Sequence, residues 1–248
     1  MAEVMIITGG SRGIGAATAS LAAERGYAVA LSYRRDEGAA ARVVDAIRAR
    51  GGVALAIAAD VSVEEDVVRL FQTVDGALGP VAALVNNAGA LERQARLADM
   101  TAARVQRTLG TNVLGSFLCA REAVRRMSTL RGGAGGAIVN VSSRASQLGS
   151  PGEYIDYAAS KAAVDTLTIG LAKEVAAEGI RVNAVRPGII DTDIHASGGD
   201  PGRAARLGAG LPLGRAGSPE EVARAILWLA SSESSYCTGS LLDVAGGR

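Results

Sequence analysis

The chain has 248 residues, 48% hydrophobic and 21% charged, ample for one sizeable core without a linker. Its 26 Lys and Arg nearly balance 25 Asp and Glu, so no net field gathers nucleic acid or an anionic membrane, and small neutral or polar partners are the default. The two cysteines, Cys119 and Cys237, form no CxxC pair, which argues against a disulfide framework or a metal site and suits a reducing cytoplasm; no leader or membrane span is expected.

Apolar runs at Val4–Ile7, 28–32, 53–58, 82–85, 137–141, 181–185 and Leu241–Val244 read as buried parallel strands. Ala-rich amphipathic stretches at 14–25, 37–50, 63–78, 102–127, 157–178 and Pro219–Ala230 read as the helices between them. This alternation demands right-handed crossovers. The expected fold is a single α/β domain over 1–248, Rossmann-like and doubly wound, with a seven-stranded parallel sheet flanked by helices. Ligands then bind beyond the carboxyl ends of the strands. The stretch from His195 to Gly217 looks the least ordered, and within it 201–212, rich in Gly and Ala and nearly devoid of large apolar groups, suits a lid over substrate spanning about 192–217.

After the first strand comes Thr8-Gly9-Gly10-Ser11-Arg12-Gly13-Ile14-Gly15, opening into a helix. Glycines at this spacing let backbone amides approach a pyrophosphate at the helix N-terminus, although a Gly-rich turn also serves simply to close a strand onto a helix. The second strand ends Ser32-Tyr33-Arg34-Arg35, without the carboxylate that would hold the ribose hydroxyls of NAD. Arg34 can pair with a 2'-phosphate, with Arg12 approaching from the other side, so NADP(H) is favoured over NAD(H). A register change of one residue would bring Asp36 near the ribose instead.

Tyr157 and Lys161 stand four apart at the start of a helical stretch and share one face. A nearby ammonium favours phenolate, bringing the phenol nearer working pH, where it can deliver or remove a proton. Hydride transfer to a carbonyl needs such a group. A hydroxyl from Ser142 or Ser143, at the end of the fifth strand, can hydrogen-bond the same oxygen as charge develops on it.

Together these residues resemble the short-chain dehydrogenase/reductase family over essentially the whole chain. The glycine turn is similar to the family's, Asp60-Val61 to its adenine-contacting pair, and Asn86-Asn87-Ala88-Gly89 to its NNAG element. The resemblance implies a catalytic tetrad of Asn112, Ser143, Tyr157 and Lys161. Lys161 would also bind the nicotinamide ribose, and Asn112 would hold a relay water. The segment 186–192 is similar to the family's PG segment, so Pro187 and Gly188 would lie against the nicotinamide, the Ile190 backbone would hold its carboxamide and Thr192 would touch a phosphate. The loop from Ser143 to Tyr157 is one residue longer than the family's usual spacing, which leaves Ser142 open beside Ser143.

The implied activity is hydride transfer between NADP(H) and a small carbonyl or alcohol. Substrates range across 3-oxoacyl thioesters and sugars or polyols, and the implied assembly is a homotetramer, with a dimer in reserve. A non-catalytic NADP(H) sensor or scaffold is the alternative of a different class. His195 reads as a loop histidine, Trp228 as core or subunit interface, and Cys119 as a small buried residue. Arg203, Arg206 and Arg215 read as solvated loop charge, and Tyr154 as a decoy, since Ala158 follows it at i+4.

Overall fold

The computed structural model describes residues 2–248. Seven strands form one sheet: β1 (Val4–Ile7), β2 (Ala28–Tyr33), β3 (Ala54–Ala58), β4 (Val81–Asn86), β5 (Gly136–Val141), β6 (Ile180–Pro187) and β7 (Leu241–Val244). Their order is β3-β2-β1-β4-β5-β6-β7, every neighbouring pair parallel. The expected doubly wound fold is therefore the observed one. The helices are α1 (Gly13–Glu24), α2 (Glu37–Ala49), α3 (Glu64–Ala77), α4 (Ala102–Leu109), α5 (Gly115–Met127), α6 (Ala145–Leu148), α7 (Ile155–Val175), α8 (Ile194–Ser197), α9 (Arg203–Gly208) and α10 (Pro219–Ala230).

The central strand shows why the sheet is covered on both faces. All four residues of β1 are buried, and alternate side chains point to opposite layers. Val4 and Ile6 join a core with Phe71 of α3 and Met127 of α5, whereas Met5 and Ile7 join a second core with Ala19 and Ala22 of α1 and Ile226 of α10. Helix α10 starts from a capping box between Ser218 and Glu221, with Pro219 in the first turn. At its other end, Arg181 donates to the carbonyls of Leu229, Ala230 and Ser231, satisfying carbonyls of the last turn and tying the helix to β6.

Two expectations need correction. The helix expected over 102–127 is interrupted by a π-turn at Gly110–Leu114 between α4 and α5, which turns Asn112 fully inward. The segment read as least ordered instead forms α8 and α9, buries His195, Arg203 and Ala204, and is pinned by a bridge between Ile190 and Gly217.

Candidate active site

Because the order in which strands are added reverses between β1 and β4, the loops after those two strands diverge and leave a crevice at their carboxyl ends. One cavity of about 620 Å³ occupies it. It runs from Gly9, Ser11, Arg12, Gly13 and Ile14 past Arg34, Asp60 and Val61, and reaches Ser143, Tyr157 and Lys161.

The glycine turn is held by its neighbour strand. The Asn87 amide donates to the carbonyls of Thr8 at 2.9 Å and Gly9 at 3.0 Å, and Thr8 Oγ1 accepts from the Asn87 and Ala88 amides, both at 3.0 Å. Gly9 and Gly13 have φ of +63° and +51°, a region costly for any side chain. A Cβ on Gly13 would lie 3.2 Å from Thr192 Cγ2, so Thr192 closes over the turn from the far side. No side chain caps the start of α1, and its first residues, Gly13 and Ile14, line the cavity. Gly15, expected to meet the cofactor, lies off the cavity instead: a Cβ there would sit 2.5 Å from Asn87 Nδ2 and against the Gly9 carbonyl, so its role is close packing of helix on turn.

At the end of β2, Arg34 stands 3.7 Å from Asp60, and both line the cavity. Asp60 also accepts from the Ser62 amide and hydroxyl at 3.0 and 2.6 Å. Asp36 lines the cavity as well, with one oxygen accepting from the Ala39 amide at 2.9 Å as the N-cap of α2.

The reactive end is built on β5 and α7. Arg104 of α4 grips Asp156 through two hydrogen bonds, at 2.8 and 3.1 Å, anchoring the first turn of α7 where Tyr157 begins its run along the cleft. Lys161, one turn on, is buried and donates to the Val141 carbonyl at 2.7 Å. Its Nζ stands 5.6 Å from the centre of the Tyr157 ring. Ser142 is buried and spends its hydroxyl on the Lys161 carbonyl at 3.1 Å. Ser143 is half-buried, its hydroxyl accepts from the Ala145 amide at 3.1 Å, and it lines the cavity together with Tyr157.

Titration in the chain itself departs from expectation. Burial pushes the Tyr157 phenol up, the Ser143 hydrogen bond opposes it, and the ammonium is directed at Val141 rather than at the phenol. Burial pushes Lys161 down to about 8, with Asp165 acting the other way.

Besides Gly15, two more of the expected site residues lie behind the cavity wall. Asn112 Oδ1 accepts from the Ala90 amide at 2.7 Å, while Nδ2 donates to the Ala90 carbonyl at 3.1 Å and to Ser160 Oγ at 2.9 Å. Ser160 in turn donates to the Tyr157 carbonyl at 2.6 Å. The Asn112 side chain is therefore spent on protein groups. Asn86 is likewise off the cavity, donating to Asn140 at 2.9 Å in the sheet interior; Asn87, Ala88 and Gly89 line it as expected. A Cβ on Gly89 would come within 3.6 Å of Lys161 Nζ and 3.7 Å of Asn112 Oδ1.

Pro187, Gly188, Ile190 and Thr192 also line the cavity. The Ile190 carbonyl is paired with His195 Nε2 at 2.9 Å. His195 is buried in α8 rather than a loop histidine, and burial pushes its pKa below the usual value. Arg203, expected in solvent, is also buried. Tyr154, set aside as a decoy, lines the cavity, with its hydroxyl donating to the Gly198 carbonyl at 3.2 Å. Arg144 and Arg248 line it too. Nothing in local spacing marks these residues, because only tertiary folding brings α8, α9 and the C-terminal segment to the cleft.

A doubly wound sheet with a glycine-turn cleft and this serine, tyrosine and lysine defines a class, and the chain belongs to the short-chain dehydrogenase/reductase family of oxidoreductases. The family model described as enoyl-(acyl carrier protein) reductase matches residues 9–248. The chain is 57% identical over 245 residues to an uncharacterized oxidoreductase, YgfF, of Escherichia coli K12, covering 99% of each. It is similar to the crystal structure of a short-chain type dehydrogenase/reductase from Mycobacterium marinum, with a TM-score of 0.92 and 39% identity over 99% of this chain and 94% of that one. It is also similar to a blue fluorescent protein from a metagenomic library, crystallised in complex with NADPH, with a TM-score of 0.89 and 34% identity over 99% of this chain and 97% of that one.

Proposed function

We propose that the protein is an NADP(H)-dependent oxidoreductase acting on a small carbonyl or alcohol, with Tyr157 as proton donor. The observation that carries this reading is that Ser143, Tyr157 and Lys161 share one cavity with the glycine turn and the uncapped start of α1. That cleft fits a dinucleotide: the first-turn amides and Thr192 would hold the pyrophosphate, Asp60 and Val61 would flank the adenine, and Arg12 and Arg34 would meet the 2'-phosphate. Asn87, Ala88, Gly89, Pro187, Gly188 and Ile190 would border the nicotinamide half. When bound, the cofactor supplies or accepts the hydride.

The chain's own part is proton transfer and positioning. Burial keeps the Tyr157 phenol protonated at neutral pH, which favours carbonyl reduction, with the phenol giving its proton to the substrate oxygen. Ser143 donates a hydrogen bond to that oxygen as negative charge grows there. Lys161 would hold the nicotinamide ribose beside Tyr157. Asn112 acts as a positioning residue, locking Ala90 beside Gly89 and bracing α7 through Ser160. The segment 192–217 serves as a lid, with α8 and α9 over the substrate end.

A fluorescence titration with NADPH and NADH, followed by a panel of ketones, aldehydes and sugars, tests this reading; tight binding without turnover across the panel would favour a sensor. Ser143→Ala should cut kcat by roughly 100-fold and Ser142→Ala far less. The reverse order would move the catalytic role to Ser142. Arg34→Asp should shift the NADPH-to-NADH preference in kcat/KM by about tenfold or more towards NADH, and an unchanged ratio would remove Arg34 from the 2'-phosphate site.

No helix among the described residues is long and apolar enough to cross a membrane. Both cysteines are free thiols, and burial raises Cys119 to about 12, which suits a reducing cytoplasm. Leu114, Phe117 and Ile169 leave exposed apolar surface on the turn before α5, on α5 and on α7, and Trp228 and Tyr236 do so elsewhere. These surfaces support a homotetramer built from paired dimers. A light-scattering mass of two or fewer chains would refute it.

A further inference from the structure

The search for groups that the proposed reaction leaves unused leads to the end of the cleft beyond Tyr157. Three guanidinium groups, those of Arg144, Arg203 and Arg248, line the same cavity wall. Arg203 is buried, lies 5.3 Å over the Tyr154 ring and is gripped by Glu153 through two bonds at 2.9 and 2.6 Å. Arg144 donates through Nε to the Arg248 carbonyl at 2.8 Å and through Nη1 to Asp243 at 2.8 Å, fixing the tail across the cleft. Arg248 differs from both: among the described residues no carboxylate lies within ion-pair distance of its guanidinium, and no hydrogen bond engages it.

The acids near this end do not answer that charge. Glu153 and Asp243 lie outside the cavity lining and are already paired with Arg203 and with Arg144 and Arg186. Glu92 lines the cavity but is paired with Arg107 at 2.9 Å. Asp193, also on the lining, is exposed at the start of α8. Arg248 is exposed to solvent where it lines the cavity, and Arg144 holds only its carbonyl oxygen, so its guanidinium is free to turn towards an arriving anion. A cation so placed gains when an anion arrives.

We infer that the substrate carries an anionic head group, a carboxylate or a phosphate ester, recognised by Arg248 with Arg203 behind it at the end of the cleft remote from the glycine turn. This deepens the proposed function and rests on it for the location of the reacting carbonyl. A planar guanidinium matches either oxyanion with two parallel hydrogen bonds, and a neutral ketone of similar shape would leave Arg248 without a partner. The head group thus becomes the handle that orients the carbonyl towards Tyr157.

The test measures binding first, so that it does not depend on turnover. Isothermal titration with saturating NADPH compares cyclohexanecarboxylate, cyclohexyl phosphate and the neutral cyclohexanecarboxamide. At least one anion should bind about tenfold or more tightly than the amide. In Arg248→Met that preference should collapse, while Arg206→Met, whose residue pairs with Asp200 off the cavity, should keep it. Equal binding of anions and amide by the parent, or a preference that survives in Arg248→Met, overturns the inference. Keto acids of increasing length and their methyl esters then read kcat/KM, with the acids expected to be favoured. Failure of both acids and esters to turn over would count against the proposed function, while the binding comparison still decides this inference. The tighter of the two anions names the head group.

Discussion

Tyr157→Phe should lower kcat for carbonyl reduction by about 10²–10⁴-fold while NADPH binding persists. The substitution removes one oxygen and keeps the ring, so neither the anchor of α7 at Arg104 and Asp156 nor the seat of Lys161 on Val141 is disturbed. What is lost is the proton that the substrate oxygen needs as hydride arrives. Ser143 can still donate a hydrogen bond, which stabilises charge without neutralising it, so residual turnover rather than none is expected. A stopped-flow trace of NADPH consumption separates the two effects: binding amplitude retained, hydride step slowed. Turnover within tenfold of the parent would mean that the proton comes from another group.

Lys161→Met should abolish most turnover and yet relieve a cost to the fold. The folded pKa of about 8 lies below the 10.5 of a free lysine. Between those values the unfolded chain holds one proton more than the folded one, so this group's penalty on stability is greatest below about pH 8 and fades as pH rises towards 10.5. A shift of that size corresponds to about 3 kcal/mol at neutral pH, reduced in the variant by about 1–3 kcal/mol because the Val141 carbonyl loses its donor. Chemical denaturation at neutral and alkaline pH checks it. Relative to the variant, the parent should gain stability as pH climbs. A parallel pair of curves would mean that Lys161 is not strained by burial, and that its charge is answered within the site.

Such a trade of stability for function is expected where a buried cation is kept for the chemistry. It also explains why spacing alone misjudged Tyr157. The i, i+4 rule correctly placed the two side chains on one face of α7, yet proximity along a helix says nothing of where an ammonium points. The Val141 carbonyl at the end of β5 claims it, and β5 is brought there only by the sheet.

The amino-acid sequence by itself determined the architecture and the cofactor turn. Alternating apolar strands and amphipathic helices can bury both faces of a parallel sheet in few ways, and the glycines between β1 and α1 are required by local backbone conformation, so both signals are short-range. It also brought Tyr157, Lys161 and one of the two serines, Ser142 or Ser143, to one cleft, because each stands at a strand end or a helix start. Tertiary structure alone decided the rest. It separated Ser142 from Ser143 by giving the first a backbone carbonyl to bond, and it withdrew Asn86, Asn112 and Gly15 behind the cavity wall. It also carried His195, Arg203 and Arg248 from apparent loops into the site. Those outcomes depend on which carbonyl, carboxylate or ring meets a side chain from a distant part of the chain, and periodicity carries no information about such partners.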